Sequence, residues 1–242
     1  MATSADRMAA GAGFGALAKA DELKKRLWFT VGALIIYRLG TYLPLPGIDP
    51  GALADIFSQQ SSGILGMFDM FSGGALGRMT IFALNIMPYI TASIIMQLMT
   101  AVVPSLETLK KDGEAGRKMI NQYTRYLTVL LATVQGYGMA VGLEAASGVV
   151  NDPGLFFRVT TVVTLVGGTL FLMWLGEQIT SRGVGNGISL IIFAGIVANL
   201  PTALAGTLEL GRTGALSSLL IFLLLAMAVA VVAFIVFIER SV

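Results

Sequence analysis

Six stretches of this chain are apolar over lengths that suit a membrane-crossing helix: residues 27–43, 79–103, 126–143, 159–176, 187–205 and 215–238. A hydrocarbon core about 30 Å thick takes roughly 20 such residues in a helix. The sixth is an almost pure run of Leu, Ala, Val, Ile and Phe. The first is short and carries Arg38 near one end, where the side chain either snorkels to the interface or pairs with a neighbour. The pattern predicts an all-α fold, a polytopic transmembrane helix bundle of six spans. Between the first two spans lies a long connection, residues 44–78. It opens on the rigid, non-helical run Pro44-Leu45-Pro46-Gly47-Ile48-Asp49-Pro50. It then holds a short apolar stretch around Ile64 to Phe71, too short to span and read as re-entrant or interfacial. The pair Gly73 and Gly74 supplies a flexible joint between that stretch and the second span.

Composition agrees. Only 12% of the 242 residues are charged, about half the share usual in soluble domains, and the mean hydropathy is +0.80. There is no Cys and no His, so disulfides are excluded and the usual general base and commonest metal ligand are missing. No phosphate-binding loop of the Walker type occurs, and no Asp lies in the middle of a span. The spans lack the central ionisable residues of an ion relay; Glu177, at the end of the fourth span, reads as interfacial or structural. No catalytic, cofactor-binding or metal residue is assigned, no cofactor is expected, and the chain is read as not an enzyme.

Lys and Arg sort by side. Lys24, Lys25, Arg26, Lys110, Lys111, Arg117, Lys118, Arg182 and Arg240 fall on one side of the predicted bundle, and only Arg78, Arg158 and Arg212 on the other. The positive-inside rule then puts both termini in the cytoplasm. The run Gly183-Val184-Gly185-Asn186-Gly187 before span five reads either as a close-packed helix start or as an ordinary turn.

Several runs carry a resemblance. They are Phe71-Ser72-Gly73-Gly74-Ala75-Leu76, then Ile86-Met87-Pro88-Tyr89-Ile90-Thr91-Ala92-Ser93-Ile94-Ile95-Met96-Gln97-Leu98, and Gly113-Glu114-Ala115-Gly116-Arg117-Lys118. Further runs are Asn121-Gln122-Tyr123-Thr124-Arg125-Tyr126, Phe171-Leu172-Met173-Trp174-Leu175-Gly176-Glu177-Gln178-Ile179-Thr180 and Gly185-Asn186-Gly187-Ile188-Ser189. Together they resemble the amino-terminal portion of the SecY protein-conducting channel family. The resemblance implies the first half plus one helix of a ten-span clam-shell that conducts unfolded secretory polypeptides and releases transmembrane helices sideways. On it, 1–26 is a cytoplasmic arm, 27–205 the SecY-like half, 206–214 a hinge loop, 215–238 span six and 239–242 a truncated cytoplasmic end.

The same resemblance implies site residues. The plug closing the channel is 63–74, with Ile64, Leu65, Met67, Phe68, Met70 and Phe71 as its apolar residues and Gly73 and Gly74 as its hinge. The aliphatic pore ring takes Ile86, Ile90 and Ile192, and the lateral gate Ile94, Gln97 and Gln135. Ile86 and Ile90, four apart, share a helix face, which ordinary packing would also explain. Gln97 and Gln135 could equally form an interhelical hydrogen bond. Implied partners are SecE and SecG, SecA or the ribosome on the cytoplasmic side, signal peptides and nascent chains, and membrane lipid, with no direct contact to nucleic acid. The implied location is the bacterial inner membrane. Two other readings stay open: a nonfunctional or split fragment of that channel, and a small-solute permease whose apolar bundle hides a polar site.

Overall fold

The computed structural model describes residues 21–60, 66, 69–70, 72–146, 148–213 and 217–240, with the side chains of 56–60 and 218 excepted. Nine helices are described: α1 Asp21–Gly40, α2 Pro50–Gln60, α3 Met87–Val102, α4 Pro104–Lys111, α5 Glu114–Ala145, α6 Leu155–Arg182, α7 Gly187–Val197, α8 Leu200–Arg212 and α9 Ser218–Arg240. Among the described residues there is no strand, only the isolated bridges Pro44–Thr80 and Ile48–Val150. The chain is an all-helical, multi-pass membrane protein, but six spans are not reached by length and composition. Four stretches qualify among the described residues, and a fifth does if α3 and α4, bent by 99°, count together. The shortfall is α1, where Lys24, Lys25, Arg26 and Arg38 dilute a helix of 20 residues.

Two compact units divide at Ile196 and Val197. In the first, α5 packs between α3 and α6, and α6 also carries α1. Helix α5, 32 residues and so about 48 Å long, outruns the apolar stretch 126–143. Its polar first turns from Glu114 to Arg125 simply continue the helix. Its buried stripe of Gly116, Thr124, Thr128, Ala132, Gly136 and Ala140 repeats mostly every fourth residue, and small residues there let neighbouring helices approach. In the second unit α8 packs on α9. The expected hinge loop 206–214 is helical as far as Arg212. The interruption comes earlier, at 198–199, ahead of Pro201.

The second span differs most from expectation. Its helix begins at Met87, not residue 79, because Pro88 sits in the first turn. Proline there has no N–H to give and its ring clashes with the carbonyl four residues back, so helix cannot continue through Leu84. Residues 81–86 instead form successive turns, with Met79 and Asn85 at positive φ of 45° and 50°. Non-helical backbone at membrane depth needs protein around it. Gly168 of α6 provides it: a Cβ there would collide with the Ile81 carbonyl. The short helix α2 was not expected. Asp49 starts it, its Oδ1 accepting the Gly51 N–H at 2.8 Å, with Pro50 in the first position.

Candidate functional site

Two features meet on the α1–α6–α7 side of the first unit: a glycine pair and an apolar cluster. The joint is Gly73 and Gly74, at φ of +68° and +80°, conformations that favour glycine. A Cβ on Gly73 would sit 3.1 Å from the Gly195 backbone of α7. The Gly73 carbonyl accepts from Arg38 Nη1 at 2.9 Å and from Arg78 Nη2 at 3.1 Å. Arg38 Nη2 also donates to the Tyr42 hydroxyl at 2.9 Å. Both guanidinium groups lie over the Tyr42 ring, 4.9 and 4.3 Å from its centroid. On the other flank, Asp69 accepts the Gly77 N–H on Oδ1 at 2.6 Å and the Gly74 N–H on its carbonyl at 2.9 Å. The Ser72 hydroxyl accepts the Leu76 N–H at 3.1 Å. The joint is therefore hydrogen-bonded from several directions. Arg38 forms no ion pair among the described residues; it donates to the Gly73 carbonyl, the Tyr42 hydroxyl and, at 3.5 Å, the Thr41 hydroxyl.

Of the residues assigned to the plug, Ile64, Leu65, Met67, Phe68 and Phe71 lie outside the described residues. Met70 has helical backbone and is exposed.

The cluster is formed by Ala33, Tyr37, Ala75, Phe82, Ile86, Leu172, Leu175, Ile179 and Ile191, with Ile90 and Ile192 among the half-buried residues packed against it. Tyr37, Phe82, Phe171 and Trp174 form a ladder of rings with successive centroids 6.2, 5.9 and 5.9 Å apart. The structure thus brings Ile86, Ile90 and Ile192 to one cluster but gives them different surroundings. Ile86 precedes the first turn of α3, where its carbonyl accepts the Ile90 N–H at 3.1 Å, and its side chain is wholly enclosed, 0% exposed. Ile90 and Ile192 keep part of their surface open.

Ile94 and Gln97 lie on the exposed side of α3, opposite the buried Pro88, Ala92, Met96 and Thr100. Gln135 is exposed on α5. The Gln97 amide donates to Ser93 within its own helix at 3.4 Å, and no hydrogen bond joins it to Gln135 among the described residues. Near them, Ser93, Met96, Gln97, Lys110, Arg117 and Ile120 are among the residues that line a cleft of about 360 Å³, part polar and part apolar, where α3, α4 and α5 meet. It lies towards the Lys-rich end of the bundle rather than at its middle.

Glu177 has a partner that sequence spacing does not disclose. Arg125 of α5 grips its carboxylate at both oxygens, with contacts of 2.8 and 2.7 Å. A second clamp joins the other ends of the same two helices: Arg158 Nε donates to Glu144 Oε2 at 2.7 Å, and Glu144 Oε1 accepts the Gly154 N–H at 2.9 Å. At the α6–α7 turn, the Val184 N–H donates to Thr30 Oγ1 at 3.1 Å and the Gly187 N–H to Thr180 Oγ1 at 2.9 Å. A Cβ on Gly187 would strike the Gly176 carbonyl, so this run is a close-packed helix start. Among the described residues no cluster of acids is arranged to hold a metal ion.

Comparison with known proteins gives one consistent answer. The SecY family model matches residues 80–242. The protein translocase subunit SecY of Buchnera aphidicola subsp. Acyrthosiphon kondoi is 58% identical over 223 residues, covering 91% of this chain and 63% of that protein. Its counterpart in Escherichia coli K12 is 56% identical over 223 residues, covering 91% of this chain and 50% of that protein. Among solved structures, Sec61 in the canine ribosome-channel complex from the endoplasmic reticulum superposes with a TM-score of 0.53 at 19% identity, over 78% of this chain and 38% of that one. A structure of a protein-conducting channel gives the same values. The chain spans between half and two thirds of the length of these curated relatives.

Proposed function

The chain belongs to the SecY family, and from that membership we propose that it forms one wall of a channel that conducts unfolded secretory polypeptides across the bacterial inner membrane. The observation that carries the reading is the 56–58% identity to translocase subunits over 91% of the chain. The geometry is in keeping with it: α5 packs between α3 and α6, and one face of α3 is exposed. Ile90, Ile94 and Gln97 follow one another at helical spacing along α3, half-buried and then exposed. That is the profile of a seam that a second wall completes.

In this reading Ile90 and Ile192 present branched apolar side chains to the neck and Ile86 backs them from within the cluster. A narrow aliphatic constriction is compliant to side chains of every kind and dewets when empty, so it can pass a chain and hold back ions. Residues 63–74 are the plug and Gly73–Gly74 its hinge. Ile94, Gln97 and Gln135 line the lateral gate through which apolar helices leave for lipid. The Lys/Arg asymmetry places both termini in the cytoplasm. SecE and SecG would complete the channel in the membrane, with SecA or a ribosome delivering chains from the cytoplasm.

The test is complementation. A full-length channel carrying this sequence, expressed in Escherichia coli depleted of its own SecY, should restore export of a periplasmic protein. Normal membrane abundance without export would overturn the reading.

A further inference from the structure

We propose that the groove between α5 and α6 holds one zwitterionic phospholipid, with its phosphate on Arg158 and Tyr137 and one acyl chain laid between the helices. The inference needs only that α5 and α6 cross the membrane; it does not depend on the channel reading.

The groove has a volume of about 440 Å³. Val134 and Tyr137 of α5 and Arg158, Val159, Val162 and Val163 of α6 are among the residues that line it. Both helices are long and apolar enough to span, so an open apolar groove on them is filled by lipid or by another helix. Val134, Tyr137, Val159 and Val163 are each more than half exposed within this chain. The order of residues along the groove favours lipid. Its polar end lies at the α5–α6 turn, away from the Lys-rich end of the bundle. There Arg158 occupies the first turn of α6, with Tyr137 beside its guanidinium. Deeper positions carry valine. Leu155 to Val163 is eight residues of helix, about 12 Å, close to the roughly 15 Å from interface to bilayer centre. A cation and a phenol at the interfacial mouth, with methyl groups below, repeat the order of head and tail in a phospholipid. A helix packed into the same groove would bury the guanidinium in hydrocarbon instead.

The cation is also held ready for a phosphate. Arg158 Nε and Nη2 both donate to Glu144 Oε2, at 2.7 and 2.6 Å, and Glu144 Oε1 is taken by the Gly154 N–H. This fixes the plane of the guanidinium and leaves Nη1 outside the carboxylate contact, and an arginine fork suits phosphate oxygens. The Glu144 side chain is 9% exposed and that of Arg158 38%, so the partner open to a ligand is the cation. Glu144 already balances Arg158, so a bound phosphate leaves one net negative charge. The ammonium of a zwitterionic headgroup cancels that charge, and an uncharged or anionic headgroup does not.

The experiment uses the full-length channel in detergent micelles with phosphatidylethanolamine that carries a diazirine on one acyl chain. Crosslinked peptides are mapped by mass spectrometry. Label should concentrate on residues 133–137 and 159–163, and unlabelled phosphatidylethanolamine should displace it. Diacylglycerol, which lacks the phosphate, should compete about tenfold less well, the factor for one charge-assisted hydrogen bond. Phosphatidylglycerol should also compete less well. Arg158→Lys keeps the charge opposite Glu144 but loses the fork, and should lower labelling of the groove about tenfold. Val163→Trp fills the groove from an exposed position without touching the Arg158–Glu144 pair, and should lower labelling at normal abundance and thermal stability. Label spread evenly over the exposed faces of α1, α5 and α6, or diacylglycerol competing as well as phosphatidylethanolamine, would mean ordinary boundary lipid and overturn the site. Phosphatidylglycerol competing equally would overturn the zwitterionic assignment. Unlabelled groove peptides in the parent channel, or full labelling in both variants, would also overturn the proposal.

Discussion

At the scale of single residues, the three isoleucines have different surroundings. Ile86 is enclosed by its own half of the bundle, whereas Ile90 and Ile192 are open on one side. Replacing a fully buried isoleucine by a small residue leaves a cavity and costs about 2–5 kcal/mol. Ile86→Ala should therefore lower membrane abundance and raise protease sensitivity, with little effect on ion leak in the molecules that remain. Ile90→Ser should do the reverse: near-normal abundance and a raised idle conductance, because a hydroxyl in the neck gives water a partner. Quantitative immunoblotting beside bilayer recording checks both, and equal loss of abundance for the two variants would make Ile90 a packing residue. The sequence made part of this visible. The i, i+4 spacing of Ile86 and Ile90 is real, and the Ile90 N–H does donate to the Ile86 carbonyl. The enclosure of Ile86 was not visible, because it depends on Phe82 turning back beneath it and on Leu172, Leu175 and Ile191 from two other helices. Arg38 is a similar case. Its neighbour Tyr42 stands at helical spacing and could have been anticipated, but a backbone carbonyl 35 residues away leaves no mark in composition.

At the scale of elements, apolar length found the helices and proline set their ends. The stretch expected to end at Val103 does end there, where Val103 caps α3 and Pro104 starts α4 across the 99° bend. The same rule applied to Pro88 would have moved the start of the helix from 79 to 87; hydropathy cannot make that distinction, since buried turns and buried helix are equally apolar. Asp49-Pro50 was likewise a readable start signal for α2. The depth of α6 against the unwound stretch was not readable, because any membrane helix tolerates glycine. Two substitutions in α6 should separate what holds these elements. Gly168→Val drives a branched side chain into the Ile81 carbonyl and should block accumulation of folded protein. Glu177→Gln breaks a bidentate pair whose members are 49% and 32% exposed, a setting in which ion pairs contribute about 0–1 kcal/mol. Its thermal unfolding midpoint in detergent should stay close to the parent. A large drop there, with Gly168→Val tolerated, would reverse the assignment of which contact matters.

At the scale of the whole molecule, the first unit leaves part of its helix surface exposed. Helices α3, α5, α6 and α1 pack in that order, and Ile94, Gln97 and Gln135 are exposed on α3 and α5. The chain spans between half and two thirds of the length of its curated relatives. The two compact units divide between Ile196 and Val197, next to the turn at 198–199. In the proposed channel a polypeptide passes along the open side of Ile90 and Ile192. Photo-crosslinking measures this directly: a photoreactive residue is placed at Ile90, Ile192 or the exposed Trp28 of α1 in the full-length channel, and a secretory chain is arrested in transit. Crosslinks at positions 90 and 192, absent at 28 and dependent on the arrested chain, are the predicted result. Crosslinks at 28 as strong as those at 90 and 192, or none at 90 and 192 while the chain is arrested, would contradict it.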